Sequence, residues 1–561
     1  MLEKIKSEIR IILEDFFLET KKQKLNVTVE EPKQKEMGDF AIPLFVLYRN
    51  LKESYPKITD LFEAISEVLK KHELFLTCEF VNGFANLRLN KEAFAKKVLT
   101  AKKENKKNND KTIVIDYSAP NIAKNFSVGH LRSTIIGNAL KNLYRKQGYK
   151  VIGVNHLGDW GTQYGKMIVA YQKWGDESVI KQDPIIELQK LYVRFHEEAK
   201  ENPKLDDLAR ATFKKLEDKD KETLKLWEYF RTESLKEFDR IYQVLGVEFE
   251  FVLGESFYND KTDKVIKELT DKKLLEEDAG AMIVRVPDLV PALIQKTDGT
   301  TLYLTRELAT VFYRHENYHF DSLLYVVGNE QKNHFDQLRA VIKKMGHDYA
   351  DLIEHINFGL VLLDGKKMST RNGRTILLQE VIDEAYQLAL KQIEVKNPGL
   401  ANKEKTAMDI AVGAVIFNDL KNQRQSDFEF DLEAIVRFEG ATGPYIQYTL
   451  VRIKAILLAN PLLKTIKPLY SLYQEEVYFE VLRQISRYEE ILEKATFENA
   501  PHHLCKYLLS LAVAFNQFYS QVYILNEDEK IRNTNLLLLT RLEEILTESL
   551  PILGLKVLER M

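Results

Sequence analysis

Cysteine is nearly missing from this chain: among 561 residues only Cys78 and Cys505 occur. They are far apart and in no metal-ligand spacing, which excludes a disulfide framework and structural zinc and points to a reducing cytoplasm. No apolar run is long enough to cross a bilayer. The opening MLEKIKSEIRIILEDFF is charged throughout and lacks the apolar stretch of a secretory signal. Net charge is scarce as well, since 81 Lys and Arg stand against 84 Asp and Glu. No field over the whole molecule then advertises a polyanion partner, and nucleic-acid binding has to rest on local patches. No internal repeat or low-complexity tract is present, which sets aside a repeat architecture.

What is present is ordinary globular material, 45% hydrophobic and 29% charged, in a chain long enough for about two to four domains. Residues 1–108 read as a small mixed α/β module. An amphipathic helix opens it, KLNVTVEE is strand-like, LFEAISEVLKKH is helical and FANLRL is strand-like. The lysine-rich KKENKKNND closes it with a linker's composition. From 109 to 386 apolar strands alternate with helices: TIVIDYS, VIGVNHLGD, TTLYLT and SLLYVVG are each followed by a helical stretch. That alternation predicts a parallel sheet covered on both faces. A charge-rich, mostly helical insertion at about 176–296 divides it. Residues 387–561 are nearly all helical in period. In KYLLSLAVAFNQFYSQV, Leu508, Leu511, Ala512, Phe515 and Tyr519 form one stripe for a bundle.

The most informative stretch is DYSAPNIAKNFSVGHLRSTIIGNAL, from Asp116. A strand feeds a loop, and Leu131, Ile135, Ala139 and Leu143 then mark a helix face. The loop therefore lies at the carboxyl end of a parallel strand, where open α/β sheets bind ligands. A helix start there offers unpaired N–H groups and a partial positive charge, which suits phosphate. Gly129 lets a ligand approach the backbone closely, and His130 adds a donor for charge developing on phosphate. Alone, a Gly-His pair is as readily an ordinary helix start. LLDGKKMSTRNG, from Leu362, adds a strand end running into a glycine-flanked cationic loop.

The two motifs in this order resemble the signatures of class I aminoacyl-tRNA synthetases. The first, HIGH, appears as Ser127-Val128-Gly129-His130, and the second, KMSKS, as Lys367-Met368-Ser369-Thr370-Arg371. Ser127 replaces the first histidine and Thr370 the second lysine; Lys124 and Arg371 are candidate substitutes for the missing cation. The blocks NHLGDWGTQYG, TDGTTLYLTRELA, YVVGNEQKNHFDQL and EGATGPYIQYTLVRI, with GDFAIPL and NGFANLRL nearer the start, resemble the arginyl-tRNA synthetase family.

The resemblance implies a Rossmann-like catalytic domain, a small N-terminal domain that contacts the tRNA elbow and an all-α anticodon-binding bundle. ATP with Mg²⁺ and L-arginine are the small substrates and tRNA(Arg) the partner, with no membrane and a monomeric state. His130, Lys124, Lys367 and Ser369 are the candidate catalytic residues, and Ser127, Gly129, His334 and Met368 join them around ATP. No protein metal site is expected. A guanidinium is best held by a carboxylate that accepts two parallel N–H bonds. Asp116 and Glu307 are the acids at the family's positions for it, accompanied by Tyr303, Asn121 and Gln331. Asp159 and Trp160 in GDWG are further candidates, with a turn wedge as the alternative for the tryptophan. Tyr445, Gln447, Tyr448 and Arg452 combine aromatics, a polar amide and a cation for unpaired bases and phosphates, with interhelical packing the alternative for the tyrosines. Asn86 and Arg88 are candidates for the elbow contact. The insertion is too short and too helical for the editing domain of proofreading class members, and the family activates its amino acid with tRNA bound. The rivals are another nucleotidyl-transferring enzyme of the same superfamily and a tRNA-binding regulatory protein without catalysis.

Overall fold

The computed structural model describes all residues except 33, 102–108, 297–300, 364, 368–369, 372–373 and 464. The N-terminal part runs α1 (Leu2–Lys21), β1 (Phe40–Pro43), α2 (Leu44–Leu51), α3 (Ile58–Lys70), β2 (Phe75–Val81), β3 (Phe84–Leu89) and α4 (Lys91–Thr100). Its three strands form an antiparallel sheet with β3 in the middle. KLNVTVEE, expected as a strand, pairs only through a single bridge from Glu30 to Ala41. Val27 and Val29 bury under α1 without a neighbouring strand to extend the ladder.

The central part is built on β4 (Asn109–Asp116), α5 (Val128–Lys146), β5 (Tyr149–Asn155) and α6 (Thr162–Trp174). The insertion follows with α7 (Glu177–Ile180), α8 (Pro184–Glu201), α9 (Lys204–Glu217), α10 (Lys221–Leu245), β6 (Phe251–Val252), α11 (Glu255–Tyr258), α12 (Thr262–Asp271), β7 (Glu276–Asp278), β8 (Ala281–Val284) and β9 (Ala292–Gln295). It is mostly helical as far as α12, and its last part is strand. β6 joins the main sheet and β7, β8 and β9 make a small antiparallel sheet of their own. After it come α13 (Tyr303–Tyr318), β10 (Ser322–Tyr325), α14 (Lys332–Lys344) and β11 (Ile353–His355). TTLYLT, expected as a strand, is instead a bridge at Thr301 and the first turn of α13. Leu304, Leu308, Val311 and Phe312 are buried on one helix face, and the Thr305 hydroxyl donates to the Ile294 carbonyl. Packing at helical spacing overrides the short apolar alternation.

The main sheet is parallel, in the order β11-β10-β4-β5-β6. The chain leaves β4 towards β5 and later returns to its other side with β10. The switch point thus lies where Asp116 pairs with Tyr325, and such a crevice binds ligands in open α/β sheets. Along β4 the side chains alternate between two cores: Ile113 and Ile115 pack with α5, Val114 with α13 and α14. α5 is buried nearly all round because its outer face is covered by the C-terminal helices. Asn142 donates to the Pro551 and Ile552 carbonyls and Tyr144 to Asn499.

The remaining elements are β12 (Val361–Leu363), β13 (Lys366–Lys367), β14 (Thr370–Arg371), β15 (Arg374–Thr375), α15 (Leu378–Lys396), α16 (Lys403–Leu420), β16 (Phe428–Glu429) and α17 (Leu432–Ile435). The helical bundle closes the chain with α18 (Gly443–Ala459), α19 (Glu476–Ser486), α20 (Tyr488–Phe497), α21 (His502–Gln521) and α22 (Glu529–Ile552). Leu508, Leu511, Ala512 and Phe515 are buried on α21 as expected, whereas Tyr519, at the end of that stripe, is largely exposed and takes the Arg452 guanidinium over its ring. Among the described residues no helix is long and apolar enough to cross a membrane.

Candidate active site

Ser127 is extended backbone at the N-cap of α5, and its N–H donates to His130 Nδ1 at 3.1 Å, with the two side chains 3.3 Å apart. This is a capping box in which a histidine stands where glutamate or glutamine is usual. Burial, and after it the nearby Lys124 ammonium, push the imidazole down to about 4. The ring is therefore neutral at physiological pH, and because Nδ1 accepts, the proton sits on Nε2. Gly129 is exposed beside it. A small cleft opens there between Val128, Gly129 and Arg132 on one side and Glu330, Phe358 and Gly359 on the other. Arg132 is almost fully buried, donating to the Gly359 carbonyl at 2.7 Å and to Asp419 at 3.2 Å.

The chain just after the second signature returns to the α5 start. β12 and β13 form a hairpin through Gly365, whose φ of +71° favours glycine, and its N–H donates to Glu429 at 2.9 Å. Lys367 pairs through its backbone with Leu362; Met368 and Ser369 lie outside the described residues. Past the loop, the chain is tied to the α5 start: Val128 N–H donates to the Ile376 carbonyl and Leu378 N–H to the Phe126 carbonyl.

The loop from Tyr117 to Phe126 holds Ser118, Ala119 and Ala123 at positive φ, each at a cost of about 1–3 kcal/mol. Side chains from elsewhere hold it there. The N–H groups of these residues donate to Ser133 Oγ, Asn155 Oδ1 and Ser234 Oγ at 2.9, 3.2 and 2.7 Å. Asn121 sits against Gly158, where any Cβ would lie 2.1 Å from its Oδ1. Lys124 is half-buried with its ammonium 5.0 Å from the Tyr192 ring centroid, and burial lowers its pKa.

At the other end of the crevice Asp116 is buried and already engaged. Its Oδ2 accepts from Arg314 Nη2 at 2.6 Å, and Arg314 is fully buried. Burial opposes the guanidinium's charge, yet Asp116, with Tyr325, Tyr258 and Glu307 behind it, keeps it protonated well above its ordinary range. The expected guanidinium receptor thus holds an arginine of its own chain. Glu307, two turns before Arg314 on α13, accepts from the Tyr325 hydroxyl at 2.6 Å. Burial would raise its carboxyl, but His156, Arg314, His334 and that hydroxyl hold it below its usual value. Glu307 is therefore a half-buried carboxylate with one oxygen outside that bond.

Around this pair, Tyr303 begins α13, mostly exposed, with the Arg306 guanidinium 5.0 Å from its ring centroid. His334 is half-buried on α14 beside Phe335 and bears on Glu307, whereas Gln331 is exposed at that helix's start. Arg314, Tyr325 and His156 were not read from the sequence, although Arg314 falls on the same α13 face as Glu307, the one signal available. Glu255 was also missed; it is buried 3.3 Å from Arg306, and burial raises it to about 7.

Asp159 is fully buried and structural in its contacts, accepting from the Ser256 N–H and hydroxyl at 2.8 Å each. Trp160 packs edge-on against Phe213 and Trp227, as a turn wedge does. In the bundle, Tyr445 and Tyr448 are half-buried, and Arg452 bonds Asn516 and Tyr448 while lying over the Tyr448 and Tyr519 rings. Gln447, expected at the tRNA surface with them, is instead fully buried and donates to the Lys556 carbonyl. It lies on the opposite side of α18 from that cluster, packed against Gly413. Asn86 is buried in the middle strand β3 and Arg88 is exposed, donating to the Glu36 carbonyl.

A capped helix start at the carboxyl end of a parallel sheet, tied to the chain that follows a lysine-bearing hairpin on a small sheet of its own, is the arrangement of a class I synthetase. The family described as tRNA synthetases class I (R), catalytic domain, matches residues 93–432, the DALR anticodon binding domain 446–561, and the arginyl tRNA synthetase N terminal domain 3–89. The arginine-tRNA ligase of Latilactobacillus sakei is 46% identical over 545 residues, 96% of each chain. That of Enterococcus faecalis is 47% identical over 543 residues, 95% of each. The Thermus thermophilus arginyl-tRNA synthetase structure superposes with a TM-score of 0.83 at 22% identity over 100% of both chains, and that from Plasmodium falciparum with 0.80 at 24% over 99% of both. The chain belongs to the arginyl-tRNA synthetase family.

Proposed function

We propose that this chain ligates L-arginine to tRNA(Arg) through an arginyl-adenylate, with ATP as the activating substrate and Mg²⁺ as its counter-ion. The observation that carries this reading is the α5 start and the half-buried carboxylate of Glu307 set about one crevice where β4 pairs with β10, with the chain after the second signature tied to that helix start. The arginine carboxylate attacks the α-phosphorus, its bond to the β-phosphate oxygen breaks, and pyrophosphate leaves with the metal. The acyl group then passes to a hydroxyl of the terminal adenosine of tRNA, releasing AMP. No side-chain nucleophile takes part, so positioning and charge stabilisation do the work.

In this reading His130, fixed by Ser127, donates Nε2–H to a phosphate oxygen without changing its own charge. Lys124 and Lys367 face the triphosphate, and Ser369 and Met368 complete the loop. Glu307 accepts from the substrate guanidinium. Asp116 acts through Arg314, holding the floor of the pocket, and Asn121, Tyr303 and Gln331 surround the amino end and aliphatic chain. The division into 1–108, 109–386 and 387–561 separates elbow contact, catalysis and anticodon reading, the last by Tyr445, Tyr448 and Arg452. The chain works as a cytoplasmic monomer and activates arginine with tRNA bound.

The test is aminoacylation of unfractionated tRNA with each of the twenty labelled amino acids, with ATP and Mg²⁺ supplied. Charging with arginine alone is expected. Charging with a different amino acid, or binding of tRNA without any charging, overturns the reading.

A further inference from the structure

We propose that Gln189 and Tyr192, on α8 of the insertion, are positioning residues for the loop before α5: Gln189 pins its backbone at Asn125, and the Tyr192 ring holds the Lys124 ammonium. The inference rests on the reading of Lys124 given above and assigns a task to an insertion that the sequence describes only as helical and charged.

Lys124 stands between two neighbours that are each fixed by a different insertion helix. Ala123, at φ +58°, donates its N–H to Ser234 Oγ of α10 at 2.7 Å. Asn125 donates both its backbone N–H and its side-chain amide to Gln189 Oε1, at 3.0 and 2.7 Å. One carbonyl oxygen has two acceptor sites, and both serve this residue. Gln189 and Tyr192 are one turn apart and so share a face of α8. Leu188, Leu191 and Phe195 bury against the neighbouring helices and hold that face in position.

The ring is a suitable holder for this cation. An aromatic face attracts an ammonium without neutralising it or accepting its protons as a carboxylate would. Among the described residues Lys124 forms no ion pair, and burial alone acts on its charge. It is therefore held near the His130 ring while its full charge and all three donors stay available to a polyphosphate. A carboxylate in the place of Tyr192 would compete with the nucleotide.

The experiment measures single-turnover arginyl-adenylate formation against ATP concentration, with tRNA present, in the full-length chain. Tyr192→Phe keeps the ring and is expected to stay within about twofold of the parent. Tyr192→Leu keeps volume without a π face and is expected to raise the apparent KM for ATP or lower the rate about five- to tenfold, with the KM for arginine unchanged. Gln189→Leu is expected to act in the same direction. In a Lys124→Ala background Tyr192→Leu is expected to add nothing. Equal losses with and without Lys124, or equal changes in the KM for arginine and ATP, overturn the proposal. So does an unimpaired Tyr192→Leu beside an impaired Lys124→Ala, which leaves the Lys124 reading standing. An unimpaired Lys124→Ala overturns that reading, and the proposal with it.

Discussion

At the start of α5 the contacts that shape the site join residues three positions apart, Ser127 to His130. At the opposite end of the crevice Asp116, Glu307, Arg314, Tyr325 and His156 come together from β4, α13, β10 and the loop after β5. The first end starts from a local device, a helix and its cap, around which the chain at Ile376 and the insertion helices close. The second is a buried network of charges that needs the sheet, because each of its ions is tolerable only when its partners arrive with it. At the α5 end burial and the Lys124 ammonium keep the histidine neutral, while at the α13 end Asp116, Tyr325, Tyr258 and Glu307 keep the buried Arg314 guanidinium charged.

The sharpest break in this comparison is Arg314→Met. It leaves Asp116 buried and unpaired, and it is expected to destabilise by about 3–5 kcal/mol, read as a lower thermal midpoint together with weaker arginine binding. A variant as stable as the parent would remove the distinction between the two ends. Next, on the proposed role of His130 as a donor to the phosphate, His130→Ala is expected to slow adenylate formation about 10²–10³-fold with little change in the thermal midpoint. A large loss of stability instead would make His130 chiefly a capping residue.

On the proposed role of Glu307 as acceptor for the substrate guanidinium, Glu307→Gln is expected to raise the KM for arginine roughly ten- to a hundredfold, with the KM for ATP nearly unchanged; equal shifts in both would place Glu307 outside the pocket. The smallest effect is in pH. His130 sits near 4 in the folded chain and near 6.5 when unfolded. Between those values the unfolded chain takes up a proton that the folded one refuses. Its contribution to stability is complete above about pH 6.5 and declines as pH falls through the window. His130→Asn is expected to flatten that part of a denaturation-versus-pH profile, and an unchanged slope would mean that the ring titrates normally.

The helix start and the hairpin were legible because their signals are short-range. Gly129 and His130 at a strand-loop-helix junction, and Lys367 after a strand, are patterns of neighbouring residues. The parallel sheet followed from alternating strands and helices. The misreadings arose where tertiary packing chose between local options: TTLYLT became a helix start because Leu304 and Leu308 found one core. Gln447 turned inward because Gly413 leaves room for its amide.

By itself the sequence determined the class of fold and the two signature loops, since these depend on residue types at fixed spacing along one strand, loop or helix, and its resemblance to a family implied the kind of substrate. Only the tertiary structure decided that Asp116 belongs to Arg314, that Glu307 keeps an oxygen outside its bond to Tyr325, and that two insertion helices grip the residues on either side of Lys124. Each of these is a pairing between side chains far apart in the chain, and the order β11-β10-β4-β5-β6 with its covering helices brings such side chains within hydrogen-bonding reach.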